Sequence, residues 1–331
     1  MEKFIDPYGR DVNYLRLSVT EQCNLSCFYC RSNPFECGKS GGKDLLTVQD
    51  ITTIAEAAVE LGITRIRLTG GEPLIRFDIL NIVESLSAIP GLKDLSLTTN
   101  GILLEKMAVQ LAAAGLKRVN ISLDSLDEAN FSNITNGGKL QSTLKGIDDS
   151  LKAGLTPIKI NMVLLKGIND HEIENFLSLT IRKELDVRFI EYMPTQGPKK
   201  WSNFFLPLQS VVKIAEKIAP VEDVPGEHGG GPAHYFRLKG ALGKVGLISP
   251  LSRHFCHRCN RLRVTSDGKI KPCLFSSDEI DLRGSLSSKE KIKEKFYEAL
   301  KKKPDPHKTA ANPADRVRQY QSSRSMSQIG G

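Results

Sequence analysis

The stretch Tyr14-Leu15-Arg16-Leu17-Ser18-Val19, followed by Cys23-Asn24-Leu25-Ser26-Cys27-Phe28-Tyr29-Cys30, decides how the chain is read. Its first half alternates as a half-buried strand does. Its second half sets three thiols at CxxxCxxC spacing on the loop leaving that strand. Three thiolates leave one iron of a four-iron, four-sulfur cube without a protein ligand, and that iron is open to a small molecule. Structural zinc takes four ligands, so three cysteines fit a closed structural site less well. A zinc site completed from elsewhere and three unrelated thiols are the alternatives. The tight triple, with an aromatic before its last cysteine, speaks against both.

Outward from this stretch, strands and helices alternate. Apolar residues at helical spacing predict helices over 48–61, 74–89, 103–114, 140–153 and 170–183. Thr47 caps the first and Gly62 ends it. Strands are predicted over 65–69, 94–98, 118–123, 157–164 and 187–192. With 14–19, the pattern is one of repeated strand–helix units, which implies a parallel sheet. Right-handed crossovers curl six such units toward a partial (β/α)6 barrel, with an open doubly wound sheet as the competing architecture. In either, loops at the strand C-termini share one face, where sites form. The cysteines, Gly70-Gly71-Glu72-Pro73, Thr98-Thr99-Asn100-Gly101, Ser122 and Met193 fall on that face.

From about Gln196 the pattern breaks among prolines, and Gly229-Gly230-Gly231-Pro232 reads as a flexible loop. A strand is predicted within 242–248. A second triple follows, Cys256-x2-Cys259-x13-Cys273. Its spacing suits a second cluster with one open iron, and equally a zinc completed by His254 or His257. The lysine-rich segment 289–303 reads as a solvated helix. Past Lys303 the composition turns to Pro, Ser and Gln and predicts a disordered tail. The expected organisation is a barrel core over 1–195, a C-terminal cluster-bearing extension over 196–303, and a tail over 304–331.

At 331 residues with a formal charge of +8, the chain can bury a large core and suits an anionic partner. No apolar run is long enough to span a bilayer, and no secretory signal is visible, which points to the cytoplasm. Clustered cysteines in such a chain favour metal binding over disulfides, with Cys37 a spare thiol. Arg16 and Arg67 lie inside apolar strand runs, where an inward charge is costly unless paired. Arg261 and Arg263 share side-chain parity if extended. There is no GxxxxGK[ST] motif, so phosphate binding of the P-loop kind is excluded.

Taken together, CxxxCxxC with Tyr29 before its last cysteine, Arg67-Leu68-Thr69-Gly70-Gly71-Glu72-Pro73, Gly230-Gly231-Pro232-Ala233, Cys256 to Cys259 running into Asn260-Arg261-Leu262-Arg263, Pro272-Cys273-Leu274-Phe275 and the terminal Gly330-Gly331 resemble one family. It is the GTP 3′,8-cyclase branch of the radical S-adenosylmethionine superfamily, which serves molybdenum cofactor biosynthesis. The likeness runs from about Asp6 to the last residue. One departure is visible: Arg31-Ser32-Asn33-Pro34 stands where the family usually has Met-Pro.

The resemblance implies two [4Fe–4S] clusters. Cys23, Cys27 and Cys30 would hold the one that binds S-adenosylmethionine; Cys256, Cys259 and Cys273 would hold the one that faces substrate. Tyr29, Gly71, Ser122 and Met193 would contact S-adenosylmethionine, with Glu72 taking its ammonium. Arg16, Arg67, Thr98, Lys159, Arg188, Arg261, Leu262 and Arg263 would bind GTP, arginine forks suiting phosphate oxygens. Arg16, Arg261, Arg263, Gly330 and Gly331 would take part in the reaction, the double glycine threading into the site. A 5′-deoxyadenosyl radical would remove the ribose C3′ hydrogen of GTP, and C3′ would add to guanine C8. A reductant protein, a downstream cyclic pyranopterin synthase, and no nucleic acid or membrane are the implied partners; monomer and homodimer both stay open.

Two rivals remain at this stage. A radical peptide maturase with an auxiliary cluster predicts no arginine cradle. A zinc-bearing nucleic-acid-binding protein predicts aromatics interleaved with basic residues, and 6% aromatic content offers no such platform.

Overall fold

The computed structural model describes residues 3–30, 45–194, 201–224, 231–320, 322 and 324–330. Period-two alternation gives every barrel strand an apolar and a polar face. The strands are β1 (Tyr14–Ser18), β2 (Arg65–Thr69), β3 (Asp94–Thr99), β4 (Arg118–Ser122), β5 (Ile158–Leu164), β6 (Leu185–Glu191), β7 (Val221–Val224), β8 (His234–Leu238), β9 (Val245–Ile248), β10 (Arg261–Val264), β11 (Lys269–Lys271) and β12 (Ile280–Asp281). Among the described residues they form one sheet in the order β12-β11-β10-β1-β2-β3-β4-β5-β6-β9-β8-β7. Its two end strands do not pair, so the barrel is partial.

The helices are α1 (Val48–Glu60), α2 (Ile79–Ser87), α3 (Leu104–Ala113), α4 (Glu128–Thr135), α5 (Leu140–Lys152), α6 (Ile173–Arg182), α7 (Trp201–Phe204), α8 (Gln209–Ile218), α9 (Lys289–Lys301), α10 (Pro313–Gln319) and α11 (Met326–Ile329). The apolar strand faces, Leu15, Leu17, Ile66, Leu68, Leu97, Val119 and Ile160 among them, are sealed against Ile51, Ile54, Ile82, Leu111, Ile147 and Phe176 of the helices. Each such side chain contributes about 1.5–3 kcal/mol when fully buried. Thr47 caps α1, as the sequence predicts, and closes a reciprocal capping box with Asp50.

Three expectations change. The six-strand parallel run is extended at both edges, because β10 pairs parallel with β1 and β9 parallel with β6. The C-terminal segment is thereby hydrogen-bonded into the barrel sheet itself. The predicted helix over 74–89 splits into a 3-10 turn (Pro73–Ile75) and α2, since Arg76 turns extended at ψ 122°. Arg76 there donates to the carbonyls of Val19 (2.7 Å) and Leu46 (2.8 Å).

Over its described residues the tail is packed against the body, not disordered. Buried Arg316 donates to the carbonyls of Leu251, Ala310 and Ala311. Tyr320 stacks on Phe275 at 3.5 Å. Arg324 forks onto Asp267 and Glu279, with Nε 2.6 Å from Glu279 and Nη2 2.9 Å from Asp267. Composition missed this because a few arginines, not an apolar stripe, hold the segment. The lysine-rich α9 likewise has a second, apolar face, burying Ile292, Phe296, Ala299 and Leu300.

Candidate active site

The two cysteine triples lie at opposite ends of the barrel. Cys23, Cys27 and Cys30 follow the C-terminal end of β1. Cys256 and Cys259 precede β10, which runs parallel to β1, so they sit at the strands' N-terminal end. Antiparallel pairing of Arg263 with Lys271 returns Cys273 to that same end. The two triples thus face each other across the barrel interior.

At the first end, the cysteine loop is pinned by Ser26 and Phe28 amides donating to the Thr135 and Ile134 carbonyls of α4, at 3.1 and 3.2 Å. Sequence reading missed α4, whose only buried apolar anchors are Phe131 and Ile134. Gly70 and Gly71 lie against the chain entering the loop, and the Gly71 amide donates to the Thr20 carbonyl at 2.8 Å. A Cβ on Gly71 would stand 2.2 Å from the Gln22 carbonyl oxygen, so no larger residue fits. The Tyr29 hydroxyl donates to Asp124 at 2.5 Å. Burial holds Asp124 up at about 6. Ser122 ends β4, and Met193 follows β6, both on this side.

Glu72 is placed differently from the sequence expectation. It is 1% exposed. It accepts from the Thr99 hydroxyl (2.7 Å), the Asn100 amide (2.6 Å) and the Leu74 amide (3.0 Å). Burial raises it to about 7 against those hydrogen bonds. In this structure it is a strut between the loops after β2 and β3, not an open carboxylate.

Between the ends, the polar strand faces line the interior. One register row reads Arg263, Arg16, Arg67, Ser96, Arg118 across β10, β1, β2, β3 and β4. Another reads Thr98, Asn120, Lys159, Asp186 across β3 to β6. Burial takes Arg16 well below its ordinary value, with the Arg263 guanidinium acting the same way. Burial likewise brings Arg67 and Arg263 down to about 10. Lys159 stands 4.0 Å from Asp186, and Arg188 donates to Asn120. Leu262 has parity opposite to Arg261 and Arg263, so its side chain is fully buried in the helix-facing core and only its backbone is available toward the interior.

At the second end, a cavity of about 680 Å³ is lined by Tyr14, Arg67, Lys159, Arg188 and Arg261, with Pro232, Tyr235 and Phe255 from the C-terminal segment. Among the described residues, the Tyr14 and Thr98 hydroxyls and the Nε atoms of Arg16, Arg188 and Arg261 are buried without a hydrogen-bond partner. Each such group costs about 1–3 kcal/mol if left unanswered. A buried excess of cations with unanswered polar atoms calls for a polyanionic ligand. Tyr14, Arg118 and Tyr235 were not singled out from sequence; strand parity with Arg16 would have found Tyr14.

Cations also surround the second triple. Arg10 donates to the Cys256 carbonyl (2.9 Å), and Lys303, 3% exposed, donates to the Arg261 carbonyl (2.8 Å). Burial alone would raise Cys259, but Lys303, Arg261 and Arg10 help carry it below the ordinary thiol value. At the first triple burial raises Cys27, and Asp124, Cys30 and Cys23 push the same way. The six cysteines of the two triples are half-buried free thiols. Among the described residues, no three His, Cys, Asp or Glu side chains converge on a single ion.

The tail enters the same interior. Arg263 donates to the Gly330 carbonyl at 2.6 Å. Gly330 adopts φ +79°, and a Cβ there would meet Thr69 Oγ1 at 2.2 Å. Gly331, Cys37 and Arg31-Ser32-Asn33-Pro34 lie outside the described residues, as does Gly230.

A family model described as the Radical SAM superfamily matches residues 17–180, and one described as Molybdenum Cofactor Synthesis C matches residues 185–309. A GTP 3′,8-cyclase from Peptoclostridium acidaminophilum is 50% identical over 306 residues, covering 92% of this chain and 93% of that protein. The chain belongs to the GTP 3′,8-cyclase family. A second member, from Alkaliphilus oremlandii, is 45% identical over 328 residues, covering 98% of this chain and 99% of its own length. The radical enzyme fold of the family is seen in Streptococcus suis SuiB at a TM-score of 0.61 with 16% identity, covering 94% of this chain and 68% of that one. Native anSMEcpe with bound AdoMet aligns at 0.58 with 16% identity, covering 96% and 92%. The family's cofactors are two [4Fe–4S] clusters and S-adenosylmethionine, and the two triples have the donor chemistry to hold the clusters.

Proposed function

We propose that this chain cyclises GTP to 3′,8-cyclo-7,8-dihydro-GTP, joining ribose C3′ to guanine C8, as a lyase at the first step of molybdenum cofactor biosynthesis. The observation that carries this reading is the interior row of arginines, with unanswered buried polar atoms, between two open cysteine triples. Cys23, Cys27 and Cys30 would hold a cluster that, with S-adenosylmethionine, would supply one-electron radical chemistry at this end. The protein's part is position, charge and exclusion of water.

Cys23, Cys27 and Cys30 hold the first cluster, and Cys256, Cys259 and Cys273 hold the second. Tyr29, Gly71, Ser122 and Met193 line the S-adenosylmethionine side, with Glu72 bracing the loop that carries Gly71. Arg16, Arg67, Thr98, Lys159, Arg188, Arg261 and Arg263 bind GTP. A charge-assisted hydrogen bond to phosphate is worth about 1.5–3 kcal/mol, and several together answer the cost of burying these cations. Arg16, Arg261, Arg263 and the Gly330-Gly331 tail act in the reaction beyond binding. The chain works in the cytoplasm with a reductant protein and passes its product to a cyclic pyranopterin synthase. Residues 1–195, 196–303 and 304–331 carry radical generation, substrate cluster and tail.

The test is anaerobic reconstitution with GTP, S-adenosylmethionine and a reductant, following 5′-deoxyadenosine and cyclised nucleotide. Deoxyadenosine formed without dependence on GTP would point instead to a peptide maturase. Arg16→Ala, Arg261→Ala and Arg263→Ala should each weaken GTP binding by about tenfold or more and also lower turnover at saturation. Unchanged turnover at saturating GTP would confine them to binding.

A further inference from the structure

Tyr14 opens β1, between β10 and β2. The guanidinium carbon of Arg261 lies 6.0 Å from the centre of its ring, and that of Arg67 lies 5.4 Å from it. Arg261 is also 5.4 Å from the Phe255 ring. Phe255, Arg261, Tyr14 and Arg67 thus alternate ring and cation along the wall of the cavity. Each ring face offers a guanidinium an attraction that strengthens out of water. The ladder keeps the two guanidiniums apart despite their like charge.

Tyr14 is 6% exposed, and its hydroxyl has no hydrogen-bond partner among the described residues. The charged groups that act on it, Arg67, Arg16, Arg261 and Arg118, are donors only. We propose that Tyr14 is a substrate-contacting residue: its hydroxyl donates to a phosphate oxygen of GTP while its ring spaces Arg67 and Arg261 for the same phosphates. This rests on the cyclase reading above. Burial alone would raise the phenol, but the surrounding guanidiniums carry it below the ordinary tyrosine value. That makes it a stronger donor to an anionic oxygen.

The test uses holoenzyme reconstituted with both clusters, with iron and sulfide counted in every variant. Tyr14→Phe keeps the ring and the ladder and removes only the hydroxyl. Its GTP dissociation constant should rise about tenfold or more, the range for a hydrogen bond to a charged group. Its affinity for guanosine, which has no phosphate, should not change, and its KM should rise with kcat little altered. Tyr14→Leu, which also removes the ladder, should lose more GTP affinity than Tyr14→Phe. A Tyr14→Phe enzyme that binds GTP as tightly as the wild type overturns the proposal. So does an equal loss for GTP and guanosine, because the contact would then be to the nucleoside. Wild-type holoenzyme that fails to bind GTP overturns the cyclase reading, and this inference with it.

Discussion

The two ends of the barrel hold the same three-cysteine arithmetic in opposite surroundings. At the first end a buried carboxyl, Asp124, stands among the thiols' neighbours and adds to burial in raising Cys27. At the second, Lys303, Arg261 and Arg10 draw Cys259 down against burial. Cys256 remains raised by burial, so the cations act on particular thiols and not on the loop as a whole. Cluster potentials follow local charge and hydrogen bonding. A cluster near a carboxyl gives up an electron more readily; one among guanidiniums is better suited to hold an anionic ligand. On the proposed reading, identical ligand sets serve as a radical generator and a substrate platform through their surroundings.

The largest expected effect separates the two ends directly. Cys27→Ala should remove both deoxyadenosine and cyclised nucleotide. Cys259→Ala should remove the cyclised nucleotide while the first end still cleaves S-adenosylmethionine slowly. Chromatography of both products, with iron counted per chain, checks it, and equal loss from both variants would erase the division of labour.

The tail bridges the two ends, and its removal comes next. Deleting Gly330 and Gly331 should abolish cyclisation while both clusters assemble. Gly330→Ala should do nearly the same, because its Cβ would collide with Thr69 Oγ1. Full activity in either variant would make the tail a bystander.

A smaller effect belongs to the first end alone. Glu72 rises to about 7 in the fold from an ordinary value of 4.5. Between those values the native state binds more protons than the unfolded one. Stability therefore falls as pH rises through that window, by up to about 3 kcal/mol. Glu72→Gln should remove that slope in denaturant titrations at successive pH values. It should also lower stability by about 1–3 kcal/mol, since its amide NH2 must face a backbone or hydroxyl donor.

The smallest effect probes the charge contrast itself. In apoprotein, the pH midpoint for alkylation of Cys259 should lie below that of Cys27. Lys303→Met should raise the Cys259 midpoint and leave that of Cys27 in place. Coincident midpoints in the wild type would remove the contrast.

Strand–helix alternation and both cysteine triples were legible in the sequence, because side-chain period and ligand spacing are local properties of the chain. Arg16, Arg67, Arg261 and Arg263 stood out for the same reason: a charge inside an apolar alternating run marks an inward-facing position. Leu262 followed the motif but not the parity, and the fold turned its side chain into the core. Glu72 carried the right charge at the right loop, yet two donors from the end of β3 and the Leu74 amide of its own turn enclosed it.

Tertiary structure decided how the second triple is set against the first, since that depends on β10 joining β1 from the far end of the chain, 247 positions from Tyr14 to Arg261. It also decided the opposite charges around the triples, the ordering of the tail by Arg316 and Arg324, and the ladder that encloses Tyr14. These rest on contacts between residues distant in sequence. No local pattern encodes such contacts, because burial and electrostatics belong to the packed assembly.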